Sequence, residues 1–150
     1  MEKEDLKKQI EKIKPIFKKY DILAVYLFGS KARGESDAGS DYDLGVIFVD
    51  PKKYQDRTLE IYSELYKKFV NILPEDYLKG RFRAGKHEFD LVFLQFSYIS
   101  FQYKAIKEAK VIYESDRKQR LDYEEYLMKR YCDLAPLRQR YQKGVLDRIE

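Results

Sequence analysis

The apolar positions along the chain alternate between helical and extended patterns. Over residues 3–19, Leu6, Ile10, Ile13 and Phe17 recur at helical intervals among lysines and glutamates, which predicts an amphipathic helix with a point for a kink at Pro15. The run from Ile22 to Phe28 is continuously apolar and stops at Gly29, the pattern of a buried central strand. A polar stretch from Gly29 to Ser40 follows. A second strand is expected from near Asp41 through Val49, closed by Asp50 and Pro51. Leu59, Tyr62, Leu65, Tyr66 and Phe69 form a stripe that predicts a helix over 54–72. Residues 79–87, with two glycines and four basic residues, read as a turn or loop. Phe89, Leu91 and Phe93 then alternate with Asp90, Val92 and Leu94, predicting a third strand over 88–96. Residues 98–108 read as helix and Val111 to Tyr113 as a short strand. Residues 117–148 read as a long charged helical segment that Pro136 divides in two.

This order predicts an α/β (α+β) protein: a mixed β-sheet with helices packed on it, not a regular βαβ array, and a helical C-terminal segment. A length of 150 residues suits one domain, with a core over 1–113 and an extension over 114–150. The 44% hydrophobic and 37% charged residues place it among folded rather than disordered chains. The net charge of +4 arises from 30 basic against 26 acidic residues. This near balance suits nucleotide phosphates or an acidic protein partner, and direct nucleic-acid binding is not expected. The single cysteine, Cys132, excludes an internal disulfide and reads as a small buried or half-buried residue. No apolar stretch approaches the roughly 18 residues of a spanning helix and none has a signal-peptide layout, so no membrane association and a cytoplasmic location are expected. Homo-oligomerisation stays open.

The candidate chemistry lies between residues 29 and 44. A glycine directly after a buried strand lets the backbone turn sharply and lets a phosphate approach exposed N–H groups, and Ser30 adds a hydroxyl donor. Asp41 and Asp43 are two apart on an extended segment and project to one side, with Tyr42 facing away. Two such carboxylates repel unless a cation lies between them, and Mg²⁺ prefers oxygen ligands. Asp90 falls in an otherwise apolar strand, where desolvation would penalise an unpaired carboxylate, so metal or hydrogen-bond partners are expected for it. Three convergent carboxylates suit a two-metal site, which would orient a triphosphate and activate an acceptor hydroxyl, with Asp90 also available as general base. Arg33 reads equally as a phosphate contact or as a salt-bridge partner of Glu35 or another carboxylate. Lys31, Glu35 and Asp37 read as solvated surface.

Gly29-Ser30, ten residues, Asp41-x-Asp43 and a later strand aspartate at Asp90 resemble the signature of the DNA polymerase β-like nucleotidyltransferase superfamily. The fuller form, Gly29-Ser30-Lys31-Ala32-Arg33-Gly34 followed by Ser40-Asp41-Tyr42-Asp43-Leu44, is similar to the minimal nucleotidyltransferase (MNT) branch, and Glu88-Phe89-Asp90-Leu91-Val92 is similar to its third-carboxylate strand. The resemblance implies a polymerase β-like sheet, catalytic and Mg²⁺-binding roles for Asp41, Asp43 and Asp90, and ATP held near Gly29, Ser30 and Arg33. It further implies an antitoxin that transfers AMP onto a tyrosine of a HEPN-type RNase toxin. Two alternatives stand beside this: a non-catalytic antitoxin that masks its partner, and nucleotidyl transfer to a small molecule. Arg81 and His87 mimic the Arg-x4–6-His spacing of HEPN RNases, but they fall in a glycine-bearing loop and are read as coincidence. Tyr123, Tyr126, Tyr131 and Tyr141 read either as a partner surface or as packing against the sheet.

Overall fold

A computed structural model of the protein describes residues 3–29, 42–72 and 89–149. The predicted first helix is two helices, α1 (Lys3–Glu11) and α2 (Lys14–Lys19). Pro15 sits in the first turn of α2, where its missing N–H costs nothing; as a continuation of α1 its ring would meet the carbonyl of Glu11. Asp21 then turns the chain at φ 50°, a conformation Asp tolerates better than most residues. Its carboxylate accepts from the Tyr54 hydroxyl at 2.8 Å, and its carbonyl from the Val49 N–H at 2.9 Å. That corner joins the start of the first strand to the end of the second.

The strands are β1 (Ile22–Phe28), β2 (Tyr42–Phe48), β3 (Phe89–Phe93) and β4 (Lys110–Glu114), arranged in the order β3-β2-β1-β4. β1 pairs antiparallel with both β2 and β4, whereas β2 and β3 run parallel. Parallel neighbours need a crossover, and α3 (Thr58–Ile72) lies between them in the chain. The sheet is therefore mixed, as the element order predicts.

Both faces are covered, which is why β1 is apolar at every position instead of alternating. On one face α1, α2 and α3 bring Leu6, Ile10, Phe17, Leu65 and Phe69 against Val25, Leu27, Leu44, Val46 and Phe89. On the other, α4 (Ile99–Lys107) and α5 (Arg117–Asp133) cover Ala24, Tyr26, Ile47 and Leu94. Leu127 of α5 is wholly buried. Tyr26 donates to Glu124 at 3.0 Å, and Arg120 bridges Glu114 of β4 and Glu124. The Asp116 side chain caps α5 by accepting from the Gln119 N–H at 3.0 Å. The final helix is α6 (Ala135–Ile149). The division from α5 falls at Leu134, one residue before the predicted breaker's own turn, so that Pro136 is the second residue of α6.

Three expectations change. The strand predicted over 88–96 ends at Phe93, and Leu94–Phe96 form a 3₁₀ turn because the Gln95 side chain replaces the strand backbone. Its amide accepts from the Phe48 N–H at 2.6 Å and donates to the Phe48 carbonyl at 2.9 Å. The helix predicted from residue 54 starts at Thr58, behind a separate 3₁₀ turn at Pro51–Tyr54. Cys132 is exposed rather than buried, because it lies on the outer side of α5. The loop expected over 79–87 lies outside the described residues.

Candidate active site

β1 and β2 bring Gly29 and Asp43 together, and β2 and β3 bring Asp43 and Asp90 together. Asp43 is the register partner of Phe28 across the antiparallel pair and of Asp90 across the parallel pair. Residues directly opposite on neighbouring strands point to the same face, with backbones about 4.8 Å apart. Leu44 and Leu91, one step on, enter the opposite core, so Asp43 and Asp90 share the face covered by α4 and α5. They form a row of two carboxylates at the C-terminal end of β1, where the chain turns at Gly29.

Gly29 adopts φ 78°, a conformation that costs an L side chain roughly 1–2 kcal/mol. A Cβ there would lie 1.9 Å from Asp43 Oδ2 and 2.9 Å from its Cγ. The glycine is thus required twice, by the backbone and by the carboxylate resting against it. Two residues further along β2, a Cβ on Gly45 would lie 2.7 Å from Leu94 Cδ1 and 3.3 Å from Phe28 Cε1. Phe28 leans across the space that this glycine leaves open.

Asp43 is half-buried and Asp90 exposed. The expectation that Asp90 would suffer desolvation therefore fails: β3 is the edge of the described sheet, and its outward position there meets solvent. Burial pushes the Tyr62 hydroxyl above its ordinary pKa, and the Asp90 carboxylate adds to the rise, which places this α3 tyrosine within electrostatic reach of the row. Ser30, Arg33 and Asp41 lie outside the described residues, as do Lys31, Glu35, Asp37, Arg81 and His87. Among the described residues no group of three His, Cys, Asp or Glu side chains gathers as a metal site. The pair that is described offers hard oxygen donors of like charge side by side, a set that suits Mg²⁺.

Sequence reasoning missed Phe101 of α4. Its ring meets Phe28 edge-on, with centroids 6.2 Å apart at 85°, and it is 41% exposed. The signal was faint: Phe101 lies just off the Gln102 and Ala105 positions by which α4 is buried.

The chain belongs to the nucleotidyltransferase family described as "Polymerase beta, Nucleotidyltransferase", whose sequence model matches residues 11–118. That stretch holds all of Gly29, Ser30, Asp41, Asp43 and Asp90. No curated protein matches the chain. Among solved structures, one similar chain comes from a toxin–antitoxin crystal structure with AMP-PNP, at TM-score 0.62 and 19% identity, covering 91% of this chain and 97% of that one. Another comes from a tri-AMPylated Shewanella oneidensis HEPN toxin in complex with an MNT antitoxin, at TM-score 0.59 and 18% identity, covering 94% and 98%. A third, from the toxin–antitoxin MntA–HepT, has TM-score 0.52 and 17% identity over 92% and 97%. At these identities the likeness is one of fold.

Proposed function

We propose that this chain is a Mg²⁺-dependent antitoxin that transfers AMP from ATP to a tyrosine of a HEPN-type RNase toxin. The observation that carries the reading is the direct register of Asp43 with Asp90, abreast of a left-handed Gly29 turn. Support also comes from the fold neighbours, one of which holds AMP-PNP and another an AMPylated HEPN toxin with its MNT antitoxin. Asp41, two residues before Asp43, supplies the third carboxylate in this reading, and Gly29, Ser30 and Arg33 hold the triphosphate. Residues 1–150 act as one cytoplasmic domain, with 1–113 catalytic and 114–150 extending it.

In the reaction, the acceptor tyrosine oxygen attacks the α-phosphorus of ATP, and the bond from that phosphorus to the bridging oxygen breaks. Pyrophosphate leaves, and the phenolic proton passes to Asp90. Mg²⁺ held by Asp41, Asp43 and Asp90 would neutralise phosphate charge and acidify the acceptor hydroxyl. The protein's own contribution is to fix carboxylates on paired strands, which position them more firmly than a loop would.

A masking antitoxin is the second reading, favoured by exposed Tyr126 on α5 and exposed Leu137, Tyr141 and Leu146 on α6. Incubation of the chain with ATP labelled at the α-phosphate, Mg²⁺ and the toxin separates the two. Labelled toxin tyrosine, lost with Asp43→Asn or EDTA, supports transfer. No label, with the Asp43→Asn variant still silencing the toxin, refutes transfer in favour of masking.

A further inference from the structure

The carboxylate row has an aromatic neighbour that the transfer chemistry does not use. Phe28 ends β1 directly opposite Asp43, and its ring lies over Gly45 on the same face of the sheet. Phe101 meets that ring edge-on and keeps 41% of its own surface in solvent. The position of Phe101 is set by Phe28 and by the anchoring of α4 just beyond it. Gln102 is buried, donating to the Ser97 carbonyl at 2.8 Å and accepting from Tyr123 at 2.8 Å, and Ala105 is buried one turn on. A half-open ring beside a site for a nucleoside triphosphate is a good platform for a planar heterocycle.

We propose that Phe101, backed by Phe28, stacks the base of the nucleoside triphosphate whose phosphates lie at Gly29 and the Asp43–Asp90 row. This rests on the nucleotidyltransferase reading above and adds the base subsite to it. Stacking uses the π-face that every base has, so the platform gives affinity and orientation while leaving the choice of base to other contacts.

The chain contains no tryptophan, so Phe101→Trp introduces a single indole reporter. Titration in Mg²⁺ with ATP, and separately with tripolyphosphate, distinguishes base from phosphate contacts. The expected result is quenching of the indole by ATP and not by tripolyphosphate. Phe101→Ala, with an unchanged melting profile, should weaken ATP binding roughly five- to tenfold, the lower end for one-sided base stacking, and leave tripolyphosphate binding as it was. If Phe101→Ala binds ATP as tightly as the unaltered chain, or loses ATP and tripolyphosphate equally, the platform is overturned and the transferase reading stands. If the unaltered chain binds neither ligand in Mg²⁺, both are overturned.

Discussion

Replacing Gly29 with alanine should separate what the fold needs from what the site needs. The backbone at φ 78° charges an alanine roughly 1–2 kcal/mol, and the new methyl would start 1.9 Å from Asp43 Oδ2. Relief to an ordinary contact moves that oxygen by about 1.5 Å. The movement requires the half-buried carboxylate to change rotamer, at a cost of order 1 kcal/mol for the side-chain torsion. A melting temperature lowered by about 4–12 °C is therefore expected for a chain of this size. Transfer should suffer far more, because a misplacement of about 1 Å in a reacting constellation costs on the order of a hundredfold. Initial rates of nucleotidyl transfer, measured well below the melting transition, report the second effect, and a thermal melt reports the first. Retention of activity within about threefold would refute the argument that Gly29 exists to leave room for the Asp43 carboxylate. Gly45→Ala is the control: its methyl meets Leu94 at 2.7 Å, a clash with core carbon, so stability rather than rate should carry its effect.

Asp90→Asn removes a like charge directly opposite Asp43; in metal-free buffer the melting temperature should rise by about 1–2 °C, while the Mg²⁺-induced stabilisation and more than about 99% of transfer disappear. A variant that still gains stability from Mg²⁺ would count against the carboxylate pair as the metal site. Gln95→Leu strips the end of β2 of both hydrogen bonds at Phe48 and should destabilise the fold by about 2 kcal/mol in denaturant titration; an unchanged midpoint would mean water replaces the amide freely. Burial raises the pKa of Tyr26 and Tyr123, with Glu124 adding to both, so their contribution is fully present below the ordinary tyrosine pKa of about 10 and is lost as pH climbs above it. Unfolding free energies measured from pH 8 to 11 should fall along that limb, and Tyr26→Phe should flatten it.

The strands were legible where burial alone decides them. β1 needed no tertiary information, because seven consecutive apolar residues between Asp21 and Gly29 admit few other structures. Its neighbours were legible in kind but not in extent. Gln95 looks like any polar residue in a strand-period pattern, and only the three-dimensional closeness of Phe48 reveals that its side chain takes over the ladder and ends β3. Pro136 marked a helix boundary and Pro15, read as a kink within one helix, in fact opens a second one, since proline's constraint is local, whereas the starting point of α3 depended on how Tyr54 reaches Asp21 across the molecule. At the site, Gly29 and Asp43 were read from a spacing in sequence, and Asp90 from one polar position in an apolar run. The reason given for Asp90 was wrong, because exposure at a sheet edge is a property of strand order, which no local pattern carries. Phe101 escaped notice because only its contact with Phe28, made across the molecule, sets it apart from other residues beside the buried stripe of α4.

What joins these residues is register, and register is a tertiary quantity. A slip of one residue between β2 and β3 would turn Asp90 into the core that holds Leu44 and Leu91 and would put an apolar side chain opposite Asp43. The pairing is guarded at both ends. Phe89 stacks on Tyr66 with centroids 4.5 Å apart, and Phe93 meets Phe48 at 5.3 Å, so a slip would pull two aromatic contacts apart at once. Beyond Phe93, the Gln95 amide closes on the backbone of Phe48 and fixes the chain where the ladder stops. The apolar face of β3 therefore sets the chemistry of its other face: Phe89, Leu91 and Phe93 hold the strand in the one alignment that sets Asp90 beside Asp43, and the edge position leaves that carboxylate open to a ligand from solvent.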